Sequence, residues 1–182
     1  MFKLTIFLVA SAGLFGISRK AIRKPSSHGF FRFFAWEAIL ALILVNIDTW
    51  FSDPFGVLQV ISWVLLTTSL FFLMQGVYLL QARGKPENTR EDGTLIAFEK
   101  TSVLVTAGLY RHIRHPLYAS LLFLAWGAFL KQTVWYSACL VVVATACLVA
   151  TAKADERECL QHFGSSYREY MSRTKMFIPY LY

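Results

Sequence analysis

The chain has 182 residues, a formal net charge of +7, 56% hydrophobic residues and only 16% charged ones. That length leaves room for one compact domain, and that composition excludes an ordinary water-soluble fold. The apolar residues stand in blocks rather than alternating, which points to buried or membrane-spanning helices and away from half-buried strands.

Five apolar runs follow one another. The first, Phe2–Ile17 in "MFKLTIFLVASAGLFG", carries a lysine, a short apolar core and small residues at Ala10–Ala12. Those are marks of a signal peptide, but with Met1 retained the run is expected as a short first helix. The second, Phe33–Ile47, can span if its polar ends snorkel. The third and fifth, Phe55–Leu80 and Val134–Ala152, reach the roughly 20 apolar residues needed to cross a bilayer core as helix. The fourth, Leu117–Leu130, has only 14 residues before Lys131 and closely precedes the fifth, so these two are expected as a helical hairpin. The predicted architecture is an all-α integral membrane protein with about five transmembrane helices in a single domain, 1–182. Within it, 1–80 holds three membrane helices, 81–116 a cytoplasmic loop, 117–152 the hairpin and 153–182 a helical cytoplasmic tail.

Sixteen of the eighteen Lys and Arg residues fall within Arg19–Arg32, Arg83–Arg114 and Lys153–Lys175; Lys3 and Lys131 are the others. By the positive-inside rule those three segments face the cytoplasm, with the N-terminus and the "NIDTWFSDP" turn (Asp48, Asp53) outside and the C-terminus inside. The net charge is therefore a topology signal. It favours contact with membrane lipids and gives no reason to expect a nucleic-acid partner.

Cys139 and Cys147 lie in the fifth run and Cys159 opens the tail, with no CxxC pairing. Cys159 and His162 share a helical face, but two ligands do not make a zinc site, and no metal is expected. Polar chemistry gathers in two segments. In the loop from Gln81 to His115, "QARGKPENTREDGT" reads as irregular chain. "LIAFEKTSVLV" then turns apolar again, which suggests that the stretch around Glu99 and Lys100 packs back onto the protein. In the tail, "KADERECLQHFGSSYREYMSRTKMFIPYLY", Leu160, Phe163, Tyr167, Tyr170 and Met171 follow helical spacing. Gly164 can end a first helix, Ser166 with Glu169 can form a capping box for a second, and Pro179 is expected to end regular structure. An amphipathic helix lying on the membrane accounts for the spacing and leaves room for a role in a site. Asp155, Glu156 and Glu158 either balance charge locally or hold an amino group or hydroxyls of a ligand. Glu37 sits inside the second run, where an ionisable group is a functional hypothesis; snorkelling or pairing with Arg32 explains it as well, and it stays outside the predicted site.

Taken together, "LVTAGLYRHIRHPLYASLL" and "DERECLQHFGSSYREYMSRTKMFIP" resemble the isoprenylcysteine carboxyl methyltransferase and phospholipid methyltransferase superfamily. The shared pattern is LV, Gly, Tyr, Arg-His-Pro-x-Tyr, a helical hairpin, an acidic pair, FG, two Tyr and a late Pro, from about Ser102 to Pro179. The resemblance implies an S-adenosylmethionine-dependent methyltransferase acting on a small lipophilic or lipid-linked acceptor. It also implies a cofactor site formed by Ser102, Val103, Leu104 and Val105, by Tyr110, by His115, Pro116, Leu117 and Tyr118, and by Asp155 and Glu156. Ser102 stands where the family often has His, and Asp155 where it usually has Glu. Carboxyl-methylating members carry an Arg one helical turn before the acidic pair, whereas this chain has Thr151 and Ala152, with Lys153 offset around the helix. The loop also lacks an LGxxW-like segment. A phospholipid amine N-methyltransferase, a sterol-type membrane reductase and a non-enzymatic membrane module remain open beside the leading reading. Sequence leaves the acceptor, the catalytic residues and the oligomeric state undetermined.

Overall fold

The computed structural model describes residues 1–85 and 99–179, and its described residues form helices joined by short irregular segments. In chain order these are α1 (Phe2–Ile22), α2 (His28–Asn46), α3 (Val57–Arg83), α4 (Pro116–Phe129), α5 (Trp135–Phe163) and α6 (Ser165–Arg173). Four of them, α1, α2, α3 and α5, are long and apolar enough to cross a membrane, and α4 is a shorter apolar helix. The chain is thus an all-α integral membrane protein. "PENTREDGT" and the "LIAF" that follows it lie outside the described residues.

Helix α2 packs along α5 and α3 along α4, with α4 also against α5 and α2, and α1 laid on α2. Small residues make this close approach possible. Ala35, Ala119, Ala125, Ala128, Ala144 and Ala152 are fully enclosed, and Leu42, Leu148 and Val141 fill the space between them. Without a hydrophobic drive between helices in lipid, packing and interhelical hydrogen bonds carry the assembly. Ser62 Oγ donates to the Gly127 carbonyl at 2.7 Å, and Ser69 Oγ to the Ser120 carbonyl at 2.7 Å. Asn46 Nδ2 donates to the Ala128 carbonyl at 2.8 Å and its Oδ1 accepts from Ser137 Oγ at 3.0 Å.

The polar residues segregate to the two ends of the bundle. At one end Lys3 pairs with Asp48 at 2.5 Å, and Lys131 is buried with its ammonium 3.5 Å from the Trp63 ring centre and 3.1 Å from Gln59 Oε1. At the other end lie His28, Arg32, Arg114, His115, Glu156 and Glu158. Glu37 departs from the expected pairing with Arg32. Its Oε2 accepts from Ser11 Oγ of α1 at 2.6 Å, while Arg32 reaches instead to Glu99, whose two carboxylate oxygens both lie 2.8 Å from one guanidinium nitrogen.

Two tail expectations meet different outcomes. Gly164, with φ +59°, ends α5 and lets the chain turn directly into α6. The Ser166–Glu169 capping box is not formed: α6 begins at Ser165, which places Ser166 within the first turn, and no side chain caps its N-terminus. Beyond Arg173 the chain leaves helix ahead of Pro179 and pairs alongside Ile113 through Lys175.

Candidate functional site

The loop before α4 is shaped by its own residues. Gly108 takes φ +60°, a conformation disfavoured for residues with a Cβ. A Cβ there would also stand 2.7 Å from the Leu79 side chain, so glycine lets the loop press onto α3. The next turn, Gly108–Arg111, is a 3-10 helix that buries Tyr110. Pro116 then occupies the first turn of α4, where its missing N–H costs nothing, and His115 sits at the helix entrance as the N-cap residue, with φ −124° and ψ 63°.

The tail is clamped onto this loop by backbone and side chain alike. Arg114 N–H donates to the Lys175 carbonyl at 2.8 Å and His115 N–H to the Met176 carbonyl at 3.2 Å. Arg114 Nε donates to Glu156 Oε1 at 2.7 Å, and its Nη1 donates to the carbonyls of Met171 and Thr174. Tyr170 Oη donates to the Tyr110 carbonyl at 2.6 Å. The amphipathic face of α6 is therefore turned inward at Tyr167 and Tyr170, both buried.

His115 is enclosed between two carboxylates. Its Nδ1 lies 3.5 Å from Asp155 Oδ2 and its Nε2 3.4 Å from Glu156 Oε1, and its ring stacks on Tyr118 with centroids 5.3 Å apart. Burial works against a charge on His115, yet the two carboxylates together raise its pKa above the usual histidine value. Burial also raises the Tyr110 phenol well above its usual value, so it remains a neutral donor.

These groups border one cavity at this end of the bundle. Leu104, Val105, Tyr110, Leu117 and Tyr118 line it together with His115 and Asp155. Four residues of the predicted site are placed elsewhere. Ser102 is exposed and its Oγ donates to the Lys85 carbonyl at 2.9 Å, anchoring the loop to the end of α3. Val103 is exposed beside it, and Pro116 is packed into the core. Glu156 does not border the cavity but holds Arg114 and His115, which do.

The cavity also takes residues that sequence reasoning left out: Glu99, Arg114, Cys159, Phe163, Tyr167 and Tyr170. The helical spacing of Phe163, Tyr167 and Tyr170 was a usable signal for their shared face, though not for what it covers. The apolar residues around Glu99 signalled that its stretch packs back onto the protein, but nothing local pointed to its partner Arg32, 67 positions away. The same is true of His28, 130 positions from Glu158. Glu158 takes both the His28 backbone N–H at 3.0 Å and His28 Nδ1 at 2.5 Å, fixing the start of α2 to α5. With Asp155, these two place three potential ligand atoms within 4.8 Å of one another. Their donor types suit a divalent cation, but the 2.5 Å separation is that of a hydrogen bond already made.

The donor set fits S-adenosylmethionine. Asp155 presents a carboxylate to a cationic or hydroxylated ligand, and Tyr and Val/Leu side chains flank it as walls for a flat base. The enclosed space is narrow, about 100 Å³, against ~300–1,000 Å³ for common small-molecule sites.

Residues 93–162 match the model of the Isoprenylcysteine carboxyl methyltransferase (ICMT) family. The matched stretch holds the later part of the loop, the RHPLY segment, the hairpin and the acidic pair, and ends before Tyr167. It bears out the resemblance read from the sequence and supports a membrane methyltransferase of the ICMT type. No curated protein and no solved structure matches the chain.

Proposed function

From the family whose model residues 93–162 match, we propose that the cavity binds S-adenosylmethionine and that the chain methylates a small lipophilic or lipid-linked acceptor. The observation that carries the reading is the convergence of Tyr110, His115, Tyr118 and Asp155, 45 positions apart in sequence at the extremes, on one cavity at the charged end of a membrane bundle. When bound, S-adenosylmethionine supplies an electrophilic methyl group on a sulfonium. Methyl transfer needs alignment and exclusion of water more than a strong acid or base. In this reading Asp155 holds the ligand's cation or hydroxyls, and His115 fixes Asp155 and Glu156 in place. Tyr167 and Tyr170 cover the site from water, and the polar end of the bundle faces the cytoplasm as the basic segments indicate.

The test is equilibrium binding of labelled S-adenosylmethionine and of its demethylated product to the full chain in detergent. Losing one charge-assisted contact is worth about 1.5–3 kcal/mol, or roughly tenfold or more in affinity. Asp155→Asn and His115→Ala are each expected to weaken binding by at least that factor, and Lys20→Ala, on an exposed part of α1, to leave it unchanged. Binding of a reduced nicotinamide cofactor in place of S-adenosylmethionine would refute the proposal.

A further inference from the structure

Helix α2 lies outside the stretch that matches the family model, which begins at residue 93. It nevertheless supplies a charge to the wall of the cofactor cavity. Glu99 borders that cavity. Arg32, in the second turn of α2, does not border it but holds the Glu99 carboxylate from outside: one guanidinium nitrogen lies 2.8 Å from each oxygen. The two side chains are only 6% and 12% exposed, and the guanidinium carbon stands 4.9 Å from the Trp36 ring centre. Tyr118 and Asp155, which also border the cavity, are close enough to interact electrostatically with Arg32.

The other charges at this end of the bundle are matched among themselves. Arg114 pairs with Glu156, His115 stands between Asp155 and Glu156, and His28 pairs with Glu158. Glu99 draws its counter-charge from Arg32. Breaking a buried pair on one side leaves a charge with nothing to offset it. Without Arg32 the wall at Glu99 would be negative, and without Glu99 a positive charge would stand behind it. A ligand charge seated in a cavity of about 100 Å³ lies within roughly a Debye length (~8 Å) of that wall, and buried charges are screened little. S-adenosylmethionine and its demethylated product differ by one positive charge, carried on the sulfur. The balance between Arg32 and Glu99 therefore acts on the difference between the two ligands.

We propose that Arg32 is a positioning residue of the cofactor site: it holds the Glu99 carboxylate neutralised in the cavity wall, and so sets how strongly the cavity prefers the cationic methyl donor to its neutral product. The inference rests on the methyltransferase reading and adds to it a residue from a helix that the family match does not reach. Product must leave before each new donor enters, so this preference governs how far accumulated product slows the reaction.

The test measures equilibrium binding of S-adenosylmethionine and of the demethylated product to the full chain in detergent. It reads the ratio of the two dissociation constants, product over donor. In Arg32→Gln the ratio is expected to rise about threefold or more, because an uncompensated carboxylate attracts the sulfonium. In Glu99→Gln it is expected to fall by a similar factor, because the guanidinium is left to repel it. Arg32→Gln/Glu99→Gln removes both charges and is expected to return the ratio to within about twofold of wild type. Arg32→Lys keeps the charge and is expected to hold the ratio even where both affinities drop. A role in packing alone weakens both ligands together and leaves the ratio unmoved in all four variants, a result that overturns the proposal. A shift of the same sign in the two single glutamine variants overturns it too, as does a shift that persists in the double variant. Should Arg32→Gln fail to fold, Glu99→Gln and the double variant carry the sign test. Failure of the wild type to bind either adenosyl ligand strikes the methyltransferase reading itself.

Discussion

At the scale of single residues, His115 stands between the site's two carboxylates. Each ring nitrogen faces a carboxylate, Asp155 on one side and Glu156 on the other, with Arg114 on Glu156 and the Tyr118 ring against the imidazole face. Both contacts are made as a donor only by the doubly protonated ring. Since the pKa is raised in the fold, this contribution to stability is complete below the unfolded value of about 6.5 and is lost as pH rises through the higher folded value. Thermal midpoints of wild type and His115→Gln in detergent, taken from pH 6 to pH 9, should therefore converge on the alkaline side. Parallel curves would show that His115 holds no proton of consequence.

At the scale of elements, the α3–α4 contact sets where the His115 helix stands. Helix α4 has 14 residues, about 21 Å at the usual rise per residue, so it spans only part of a hydrocarbon core. Its position comes from glycine and serine instead. A Cβ at Gly127 would lie 2.9 Å from Leu66 Cγ and 3.3 Å from the Ser62 carbonyl, whose own hydroxyl bonds the Gly127 carbonyl. Gly127→Leu is expected to lower stability by about 1–3 kcal/mol through overpacking, seen as a lower thermal midpoint. Gly13→Leu on α1, where a Cβ meets nothing within 4 Å, should leave the midpoint in place. Equal losses at both positions would contradict the packing described. The element most altered from its sequence outline is α5, which runs unbroken from Trp135 through the acidic pair to Phe163. Hydropathy ends the run at Ala152 because it registers the solvent, whereas the backbone bonds of the helix continue into water.

At the scale of the whole molecule, polar side chains collect at two ends and the apolar length between them fits a bilayer. Accessibility of single cysteines in a background free of Cys139, Cys147 and Cys159 checks the orientation. A membrane-impermeant thiol reagent added outside should label Ser52→Cys and spare Ser172→Cys, and the reverse would invert the topology. Much of this layout was legible in the sequence because block hydrophobicity and basic flanks are local properties. The meeting of "GLYRHIRHPLY" with the acidic pair was legible through resemblance to a family, not through any spacing rule. Arg32–Glu99 and His28–Glu158 were not legible, since charge pairs between distant segments leave no periodicity. The central claim is that S-adenosylmethionine binds between the loop before α4 and the α5–α6 corner. Ultraviolet cross-linking of methyl-labelled S-adenosylmethionine to the full chain, followed by peptide mapping, tests it most directly. The account predicts label confined to peptides covering residues 99–118 and 155–170 and competed away by the demethylated product; label elsewhere, or label that the product does not displace, would contradict it.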